Sequence, residues 1–500
     1  MIVESLYALM APFSLLAVVI GTVSGVLVGG MPGLTATMAV ALLIPVTFAL
    51  EPLTGLLLMG GVYCGAMYGG SIPAILLRTP GTPAAVATAL EGYPMTQKGQ
   101  GGLALKVSVI ASFVGGTFSA LVLLLVAPIL AKFALTFGPP EYFLLALVGL
   151  AGIVSMADDG SSLIKALISG LIGLILAVVG TDPMSGMLRY TLNIPDLFDG
   201  IAFMPALIGL FSISQMLELT GTGSIVADTS VITQIKREPM PKGLGKFIGT
   251  GSLVGTIVGI LPGEGATIAA FLSYNVARQR SKNKDLFGKG NPEGIAAAEA
   301  GNNGCVGGSL IPTLTLGIPG NSVAAALLGG LLVHGLIPGP ELFTKHGVMT
   351  YAFILSLFLA NIVFLMTGLF MAPYFARISL TPTSLLIPVV CLFSVLGSYA
   401  MNNSILDISV ALICGIAAVF LHKTGFSLGA LILGLILGPI AETGFAQALI
   451  MGHGSYSIFF NRPQSLSLWF IIFLLLIPPV YQSIKRYRSR PETEVPCTET

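Results

Sequence analysis

The chain has 500 residues, of which 54% are hydrophobic and 9% are charged, with a formal net charge of +1. Soluble proteins carry about 25% charged residues, so this composition excludes an ordinary soluble domain and predicts an all-α polytopic membrane protein. The small net charge argues against a nucleic-acid partner. The five cysteines form no C-x-x-C pair, and they indicate neither disulfides nor a metal site.

Apolar runs recur along the whole chain, and with shorter runs they predict roughly a dozen spans or half-spans. The N-terminal segment has Glu4 but no basic residue, so we expect the first helix to be retained rather than cleaved as a signal peptide. The representative runs cover residues 6–28, 53–77, 107–130, 163–179, 351–375, 406–421 and 466–480.

Proline and glycine interrupt the apolar runs at four places, and these interruptions are paired. The stretch "VGGMPGLTATMA" at 28–39 recurs as "VGILPGEGATIA" at 258–269, an offset of 230 residues. "YGGSIPAILLRTPGTPAAVATAL" from Tyr68 resembles "VGGSLIPTLTLGIPGNSVAAALL" from Val306, at an offset of 238 or 239. In chain order, breaks 1 to 4 are Pro32-Gly33, Pro80-Gly81, Pro262-Gly263 and Pro319-Gly320.

The repeat predicts two membrane halves with a polar linker between them. Residues 1–225 form the first repeat, 226–246 the linker and 247–465 the second repeat. An extra transmembrane helix follows at 466–484. The basic residues of the tail at 485–500 follow the last apolar run directly, which predicts a cytoplasmic C-terminus.

The distribution of basic residues predicts that the two repeats have inverted topology. Residues 1–77, around break 1, contain no Lys or Arg, whereas break 3 has basic residues on both sides. Break 2 lies among Arg78, Lys98 and Lys106, whereas residues 290–344, around break 4, contain none. Because basic residues collect on the cytoplasmic side, paired breaks face opposite sides. The same bias on both flanks of each break favours re-entrant hairpins, with discontinuous helices that cross once as the alternative.

Irregular backbone at membrane depth survives only where protein buries it or a hydrated cavity receives it. A helix that begins in mid-membrane directs its freed N–H groups at the gap, which suits a carboxylate, and freed carbonyls suit Na⁺. The residues predicted to bind substrate are Gly33, Thr35, Thr37, Ser71, Gly81, Thr82, Gly263, Thr267, Asn302, Asn303, Ser309, Pro319, Gly320, Asn321 and Ser322.

An acidic residue in an apolar helix predicts where a cation couples to transport. Glu299 lies three and four residues before Asn302 and Asn303, on one helical face of "GIAAAEAGNNGCVGG". Thr313 and Thr315 are the other predicted cation-coupling residues. A role for Glu299 at the membrane interface or as a helix cap is the alternative.

The segment "PGEGATIAAFLSYNVARQRSKNKDLFGKGNPEGIAAAEAGNNG", followed by "GGSLIPTLTLGIPGNS", resembles the large membrane subunit of the tripartite tricarboxylate transporters, the TctA type. The likeness covers nearly the whole chain. It implies a bacterial inner-membrane secondary transporter that works with a small four-helix membrane subunit and a periplasmic binding protein. It also implies citrate-like or other carboxylates as substrates and an ion gradient as the energy source.

Two residues depart from the pattern of similar proteins. Glu264 stands where a small residue is usual, and Arg78 stands where an uncharged polar residue is common. Both departures bear on the charge of the substrate.

We therefore expect a carboxylate importer driven by Na⁺ or H⁺, without a cofactor. A passive anion channel and a related transporter that works without a binding protein are the alternatives. An enzyme is disfavoured, because neither an H-E-x-x-H nor a G-x-S-x-G pattern accompanies His334 or His453. Elevator movement of one bundle against a scaffold is the expected mechanism, with rocking as the alternative.

Overall fold

The computed structural model describes residues 1–31, 33–155, 160–220, 239–262, 265–378 and 381–488. Pro32, Gly263, Glu264 and the larger parts of the predicted linker and tail lie outside the described residues. The regular secondary structure of these residues is helical apart from one two-residue antiparallel pair, β1 (Gly180–Thr181) and β2 (Leu188–Arg189).

The helices of the first half include several that begin with proline at the first position, where its missing N–H costs nothing. They are α1 (Ile2–Met10), α2 (Pro12–Gly29), α3 (Ala36–Thr47), α4 (Pro52–Gly69), α5 (Ser71–Leu77), α6 (Ala85–Gln97), α7 (Gly101–Ala134), α8 (Pro139–Ser155), α9 (Gly160–Ala177), α10 (Phe203–Leu207) and α11 (Ser214–Leu219), with a π-helical stretch at Ile208–Ile213.

The helices of the second half are α12 (Gly245–Ile260), α13 (Gly265–Arg280), α14 (Pro292–Leu316), α15 (Ser322–Val333), α16 (Pro340–Thr344), α17 (Gly347–Ile378), α18 (Thr383–Asn402), α19 (Ile405–Lys423), α20 (Leu428–Met451) and α21 (Pro463–Arg488). Among the described residues, seven helices are long and apolar enough to cross a membrane. The predicted polytopic, all-helical class is therefore confirmed.

Helices α2 and α4 run parallel and pack through glycine. Gly21, Gly25 and Gly29 face the backbone of Leu58, Val62 and Ala66, so closely that any Cβ would clash with a carbonyl oxygen. Small residues at this spacing let helix backbones approach. The glycines that the sequence shares between its halves thus pack helices together.

Helices α12 and α14 repeat this arrangement. Gly251, Gly255 and Gly259 face Ala297, Gly301 and Cys305. These contacts relate α2 to α12 at an offset of 230 and α4 to α14 at a constant offset of 239. The structure therefore favours an offset of 239 over 238 for the second motif. At this offset Gly70 is the equivalent of Ser309 in the repeat.

Break 1 reverses the chain. Since α2 and α4 run parallel, α3 must lead the chain back toward the end of the bundle at which both begin, which we call end A. Helices α12, α13 and α14 are connected in the same way. The end at which α12 and α14 begin is end B. The favoured interpretation, a re-entrant hairpin, thus describes breaks 1 and 3.

Break 2 does not reverse the chain. Gly81 donates its N–H to Gly70 O (3.1 Å) at the start of α6, and Thr96 Oγ1 donates to Ile75 O (2.8 Å) near its end. Helix α6 therefore continues in the direction of α4 and α5. The expected hairpin is wrong here, because the 78–84 loop folds back over α5 before α6 begins.

Break 4 is built like break 2. Gly320 lies beside Ser309, while His334, just after α15, contacts Thr47 and Gly55 at end A. Helix α15 therefore continues the course of α14, and the alternative of a discontinuous helix that crosses once applies.

Helices α4 and α14 lie side by side at the centre, in opposite directions. Tyr63 contacts Ser309, whereas Met67, one turn later in α4, contacts Asn302, which precedes Ser309 in α14. All residues from Gly55 to Gly69 and from Gly294 to Thr315 are buried. The outer helices expose large apolar side chains, among them Phe420 and Phe470, as expected of a surface that meets lipid.

Candidate functional site

Four helices begin around one cavity in the middle of the bundle. Helices α3 and α15 run from it toward end A, and α6 and α13 toward end B. The cavity has a volume of about 140 Å³, enough for several water molecules or a small solute. Its lining residues are Thr35, Ala36, Thr37, Met67, Thr82, Pro83, Ala84, Phe211, Ala266, Thr267, Asn321, Ser322 and Val323.

Most of the lining residues form pairs related by the internal repeat. At offsets of 230 and 239, Thr37 pairs with Thr267, and Thr82 pairs with Asn321. The cavity therefore lies where equivalent parts of the two halves meet. None of the lining residues within the described ranges is charged, so the polarity that they give the cavity comes from hydroxyls, one amide and the ends of helices.

Two of the helix starts are capped by lining residues. Thr35 Oγ1 accepts the Met38 N–H of α3 (3.2 Å), and Asn321 Oδ1 accepts the Ala324 N–H of α15 (2.8 Å). Such caps satisfy one of the first N–H groups of a helix and leave others directed outward. Thr37 Oγ1 and Ser322 Oγ lie 2.9 Å apart, which joins break 1 directly to break 4.

Break 4 has a fully bonded polar cluster beside the cavity. The Tyr63 hydroxyl lies 2.8 Å from Ser309 Oγ and accepts from Asn321 Nδ2 at 2.7 Å. Tyr63, which belongs to α4 of the other half, is fully buried. It fixes the orientation of the Asn321 side chain that caps α15.

Break 2 has unpartnered polar atoms at the corresponding place. The hydroxyl oxygens of Thr79 and Thr82 and Oδ1 of Asn302 are buried without a hydrogen-bond partner. Asn302 Nδ2 donates to Met67 O (3.0 Å) in the last turn of α4. Thr82 lies against the same turn, since a Cβ on Gly70 would be 2.6 Å from Thr82 Oγ1.

Glu299 is fully buried, but it does not line the cavity. Thr88 of α6 donates a hydrogen bond to Oε1, and Ser112 of α7 donates to Oε2 at 2.8 Å. Its ion-pair distances to the basic residues of the described ranges all exceed 4.0 Å. Glu299 is thus neither at an interface nor a cap, and its negative charge has only hydroxyl partners.

The remaining predicted site residues lie outside the cavity lining. The hydroxyls of Thr313 and Thr315 donate to carbonyls of their own helix, and the Asn303 amide donates to Glu299 O. Ser71 bonds to Tyr68 O and pairs with Ser108. Glycines 81 and 320 let the loops of breaks 2 and 4 lie against α2 and α12. Arg78 is exposed and lies 5.8 Å from the ring centre of Tyr93.

Sequence reasoning missed Tyr63, Met67, Phe211 and Glu91. Glu91, fully buried in α6, accepts hydrogen bonds from Tyr274 Oη (2.7 Å) and from the N–H groups of Gly288, Gly290 and Asn291 at 2.6–2.8 Å. The charge of Glu91 within an otherwise uncharged helix was the available signal. For Tyr63 the signal was its alignment with Asn302 at an offset of 239.

Residues 15–433 match the sequence model of the Tripartite tricarboxylate transporter TctA family. The chain belongs to this family. TctA proteins are transporters, and a tripartite transporter has further subunits and a binding protein. The family resemblance inferred from the sequence motifs is therefore confirmed, and this TctA chain is a subunit of a tricarboxylate transporter.

Two curated relatives come from Agrobacterium vitis. An uncharacterised 52.8 kDa protein from the region 3′ of ttuC′ in TAR-I is 32% identical over 484 residues, which cover 96% of both chains. An uncharacterised protein from the corresponding region of TAR-II is 32% identical over 236 residues, which cover 47% of this chain and 98% of the relative. No solved structure matches the chain.

Proposed function

We propose that this TctA chain imports a carboxylate, citrate-like or another organic acid, by cation symport, and that a periplasmic binding protein delivers the substrate. The observation that carries the proposal is the convergence of four helix N-termini on one polar cavity, whose lining is uncharged throughout the residues that the structure describes. The substrate sits in this cavity, between breaks 1 to 4.

The cavity suits an anion because of the direction of its helices. Each helix start contributes the positive end of a dipole, while in α6 the N–H groups of Ala85 and Val86 already bond to Thr82 O and Pro83 O. Four of them act without a fixed positive charge, so an anion is held and can also be released. The hydroxyls of Thr82 and Thr267 donate further hydrogen bonds to carboxylate oxygens, and so does whichever of Thr37 and Ser322 does not donate to the other.

The halves are proposed to be inverted-topology repeats that give alternating access. The opposite directions of α4 and α14 and the paired lining of the cavity support this. Breaks 1 and 3 belong to re-entrant hairpins from ends A and B, and breaks 2 and 4 to helices that cross once. Elevator movement is the proposed mechanism, by analogy with other transporters that have paired hairpins.

End B is proposed to face the cytoplasm of a bacterial inner membrane. Lys98 at the end of α6 and the basic loop at 278–289 both lie there, beside the start of α14. The C-terminal tail is cytoplasmic as well. The partners are a small four-helix membrane subunit and a periplasmic binding protein, as the tripartite family implies.

Cations are needed because the membrane potential opposes anion import. Each negative charge costs about 2.3 kcal/mol per 100 mV, so a trianion costs about 7 kcal/mol. Co-transported Na⁺ or H⁺ cancels this cost. Glu299 is the proposed coupling residue, since its buried carboxylate, held only by Thr88 and Ser112, gains a compensating positive charge from a cation or proton.

The experiment is uptake into proteoliposomes with and without the two partner subunits. Several labelled carboxylates are offered, and Na⁺ is replaced by K⁺ or a proton gradient is imposed. Asn321→Ala, which removes the cap of α15 and the bond to Tyr63, should reduce uptake to background while the protein stays folded. Asn461→Ala, at an exposed position far from the cavity, is the control.

The alternatives give different results in the same assay. A passive anion channel would equilibrate the substrate but never accumulate it against its gradient. A transporter that works without a binding protein would accumulate substrate with the partners omitted. Wild-type uptake by Asn321→Ala would refute the proposed cavity site.

A further inference from the structure

The repeat relates two places beside the cavity, one at break 2 and one at break 4. These two places differ in their hydrogen bonding. The constant offset of 239 relates Tyr63 to Asn302 and Thr82 to Asn321. At break 4 the pair Tyr63 and Asn321 is hydrogen-bonded at 2.7 Å. At break 2, Asn302 Oδ1 and Thr82 Oγ1 have no partner.

The bonded pair leaves no room for a ligand at its place. The Tyr63 hydroxyl fills the space between Asn321 and Ser309 and bonds to both. Its ring carries the hydroxyl there from α4. At the equivalent position of α14 stands the shorter Asn302, which bonds only to Met67 O.

The unbonded atoms are oxygens that stay out of contact with solvent. Thr82 is 4% exposed and Asn302 is 1% exposed, and Thr82 lines the cavity. Both side chains lie against the last turn of α4: Thr82 packs against Gly70, and Asn302 bonds to Met67 O. Thr79 Oγ1, in the loop of break 2, is a third buried oxygen without a partner. Leaving such atoms unpaired costs free energy, so a ligand is expected there.

The chemistry of these atoms selects the ligand. An amide oxygen can only accept, and hydroxyl oxygens offer lone pairs, so the set suits a cation. Neutral amides and alcohol hydroxyls do not change their protonation state near neutral pH, which disfavours H⁺ as the ligand. Divalent ions take carboxylate ligands, and the site has none.

We propose that Thr82 and Asn302, with Thr79 beside them, bind a monovalent metal cation, Na⁺, next to the carboxylate. Tyr63 occupies the equivalent position at break 4, so the cavity has one such site and not two. The inference rests on the proposed function for its role in coupling. Ion binding itself does not depend on which carboxylate is carried.

The test measures thermal stability of the purified chain without substrate, in NaCl and in choline chloride at equal ionic strength. An ion that binds only the folded state raises the Tm with its concentration. We expect Na⁺ to raise the Tm of the wild type. Thr82→Val, which keeps the shape of the side chain, should raise the Na⁺ concentration for half of this effect by at least about tenfold, as loss of a ligand worth 1.4 kcal/mol would.

Matched variants make the result specific. Thr82→Ser retains the hydroxyl and should restore the Na⁺ effect, and Asn302→Leu should lose it. In Tyr63→Phe, the Na⁺ concentration that gives half of the rise in Tm should be the same as in the wild type. An equal loss in Tyr63→Phe, or a Na⁺ effect that Thr82→Val and Asn302→Leu leave unchanged, would overturn the site, and so would a wild type that responds equally to Na⁺ and choline.

The measurement also separates this inference from the proposed function. A Na⁺ effect lost in Thr82→Val, in a protein that transports no carboxylate, would support the ion site and refute the function. Carboxylate uptake driven by a gradient, with a Tm indifferent to Na⁺, would do the reverse.

Discussion

The unit formed by α4, break 2 and α6 and the unit formed by α14, break 4 and α15 share a backbone plan but differ in chemistry. Both place a discontinuous helix on a glycine-lined neighbour, and both fold a Pro-Gly loop back to the middle of the bundle. The loop of break 2 leaves the hydroxyl oxygens of Thr79 and Thr82 unbonded, whereas the polar cluster at break 4 is fully bonded. The buried acids also differ in their partners: backbone N–H groups and a phenol bond to Glu91 in α6, and only hydroxyls bond to Glu299 in α14. The two units thus place their helix ends alike, but at the offset of 239 Tyr63, Thr82 and Glu299 have the different counterparts Asn302, Asn321 and Gly60.

The largest expected effects concern the glycines that bring the two loops onto their neighbours. In Gly81→Ala the new Cβ would clash with Gly29 O, and in Gly320→Ala it would lie 2.6 Å from Gly259 O. Overpacking against backbone should cost about 3 kcal/mol in the first variant and somewhat less in the second. Thermal stability in detergent measures both. Gly249→Ala, in open space on α12, is the control, and equal stability of all three would contradict this packing.

The next effect concerns Glu299, a buried acid that α14 has and α4 lacks. The corresponding position of α4 is Gly60, whose space Phe353 fills. Glu299→Gln keeps the shape and accepts a hydrogen bond from Thr88 or Ser112, but it has no charge to be neutralised. We expect it to lose uptake driven by the cation gradient while it still exchanges internal for external substrate. Glu341→Gln, at an exposed ion pair, should behave as wild type. Gradient-driven uptake by Glu299→Gln would exclude a coupling role.

A smaller effect distinguishes the bonded pair from the unbonded one without any ion. Tyr63→Phe leaves Asn321 and Ser309 each short of a partner and should cost about 1–3 kcal/mol. Thr82→Val removes a hydroxyl that bonds to nothing in the protein, so in choline chloride its Tm should equal or exceed that of the wild type. Comparable losses in the two variants would show that the two places do not differ.

The smallest effect concerns the residue that ends each central helix. Arg78 ends α5 with φ of 59°, and its counterpart Gly317 ends α14 with φ of 72°. A side chain is strained in this left-handed region by about 1 kcal/mol. Arg78→Gly should therefore raise, and Gly317→Ala lower, the stability by about that amount. A fall in stability of Arg78→Gly would show that the contact of Arg78 with Tyr93 outweighs the strain.

The sequence predicted the breaks because proline and glycine act locally. Pro12, Pro52 and Pro292 begin helices, and Pro80 and Pro319 lie in loops, wherever the chain runs afterwards. It could not predict the direction taken after each break, which depends on packing. Arg78, taken as a flank of break 2, lies within the loop of that break, and this position accounts for the incorrect hairpin.

The sequence predicted those site residues that lie at the start of a helix, directly after a Pro-Gly break. Thr35, Thr37, Thr267, Asn321 and Ser322 line the cavity for that reason. Thr313 and Thr315 do not, since their hydroxyls, in the last turn of α14, donate to carbonyls of that helix. Partners across the two halves, such as Tyr63 with Asn321 and Thr88 with Glu299, are separated by more than 200 residues and leave no local pattern.

The hydrogen bonds of Glu91 join α6 of one half to the start of α14 in the other. Three backbone N–H groups and a phenol hold that carboxylate, and Lys98 bonds to Lys289 O beside it. Tilting α6 away from α14 would strand a buried charge, at a cost far above thermal energy. If one group of helices moves relative to the rest during transport, α6, α13 and α14 must therefore move together. The moving group then contains helices of both halves.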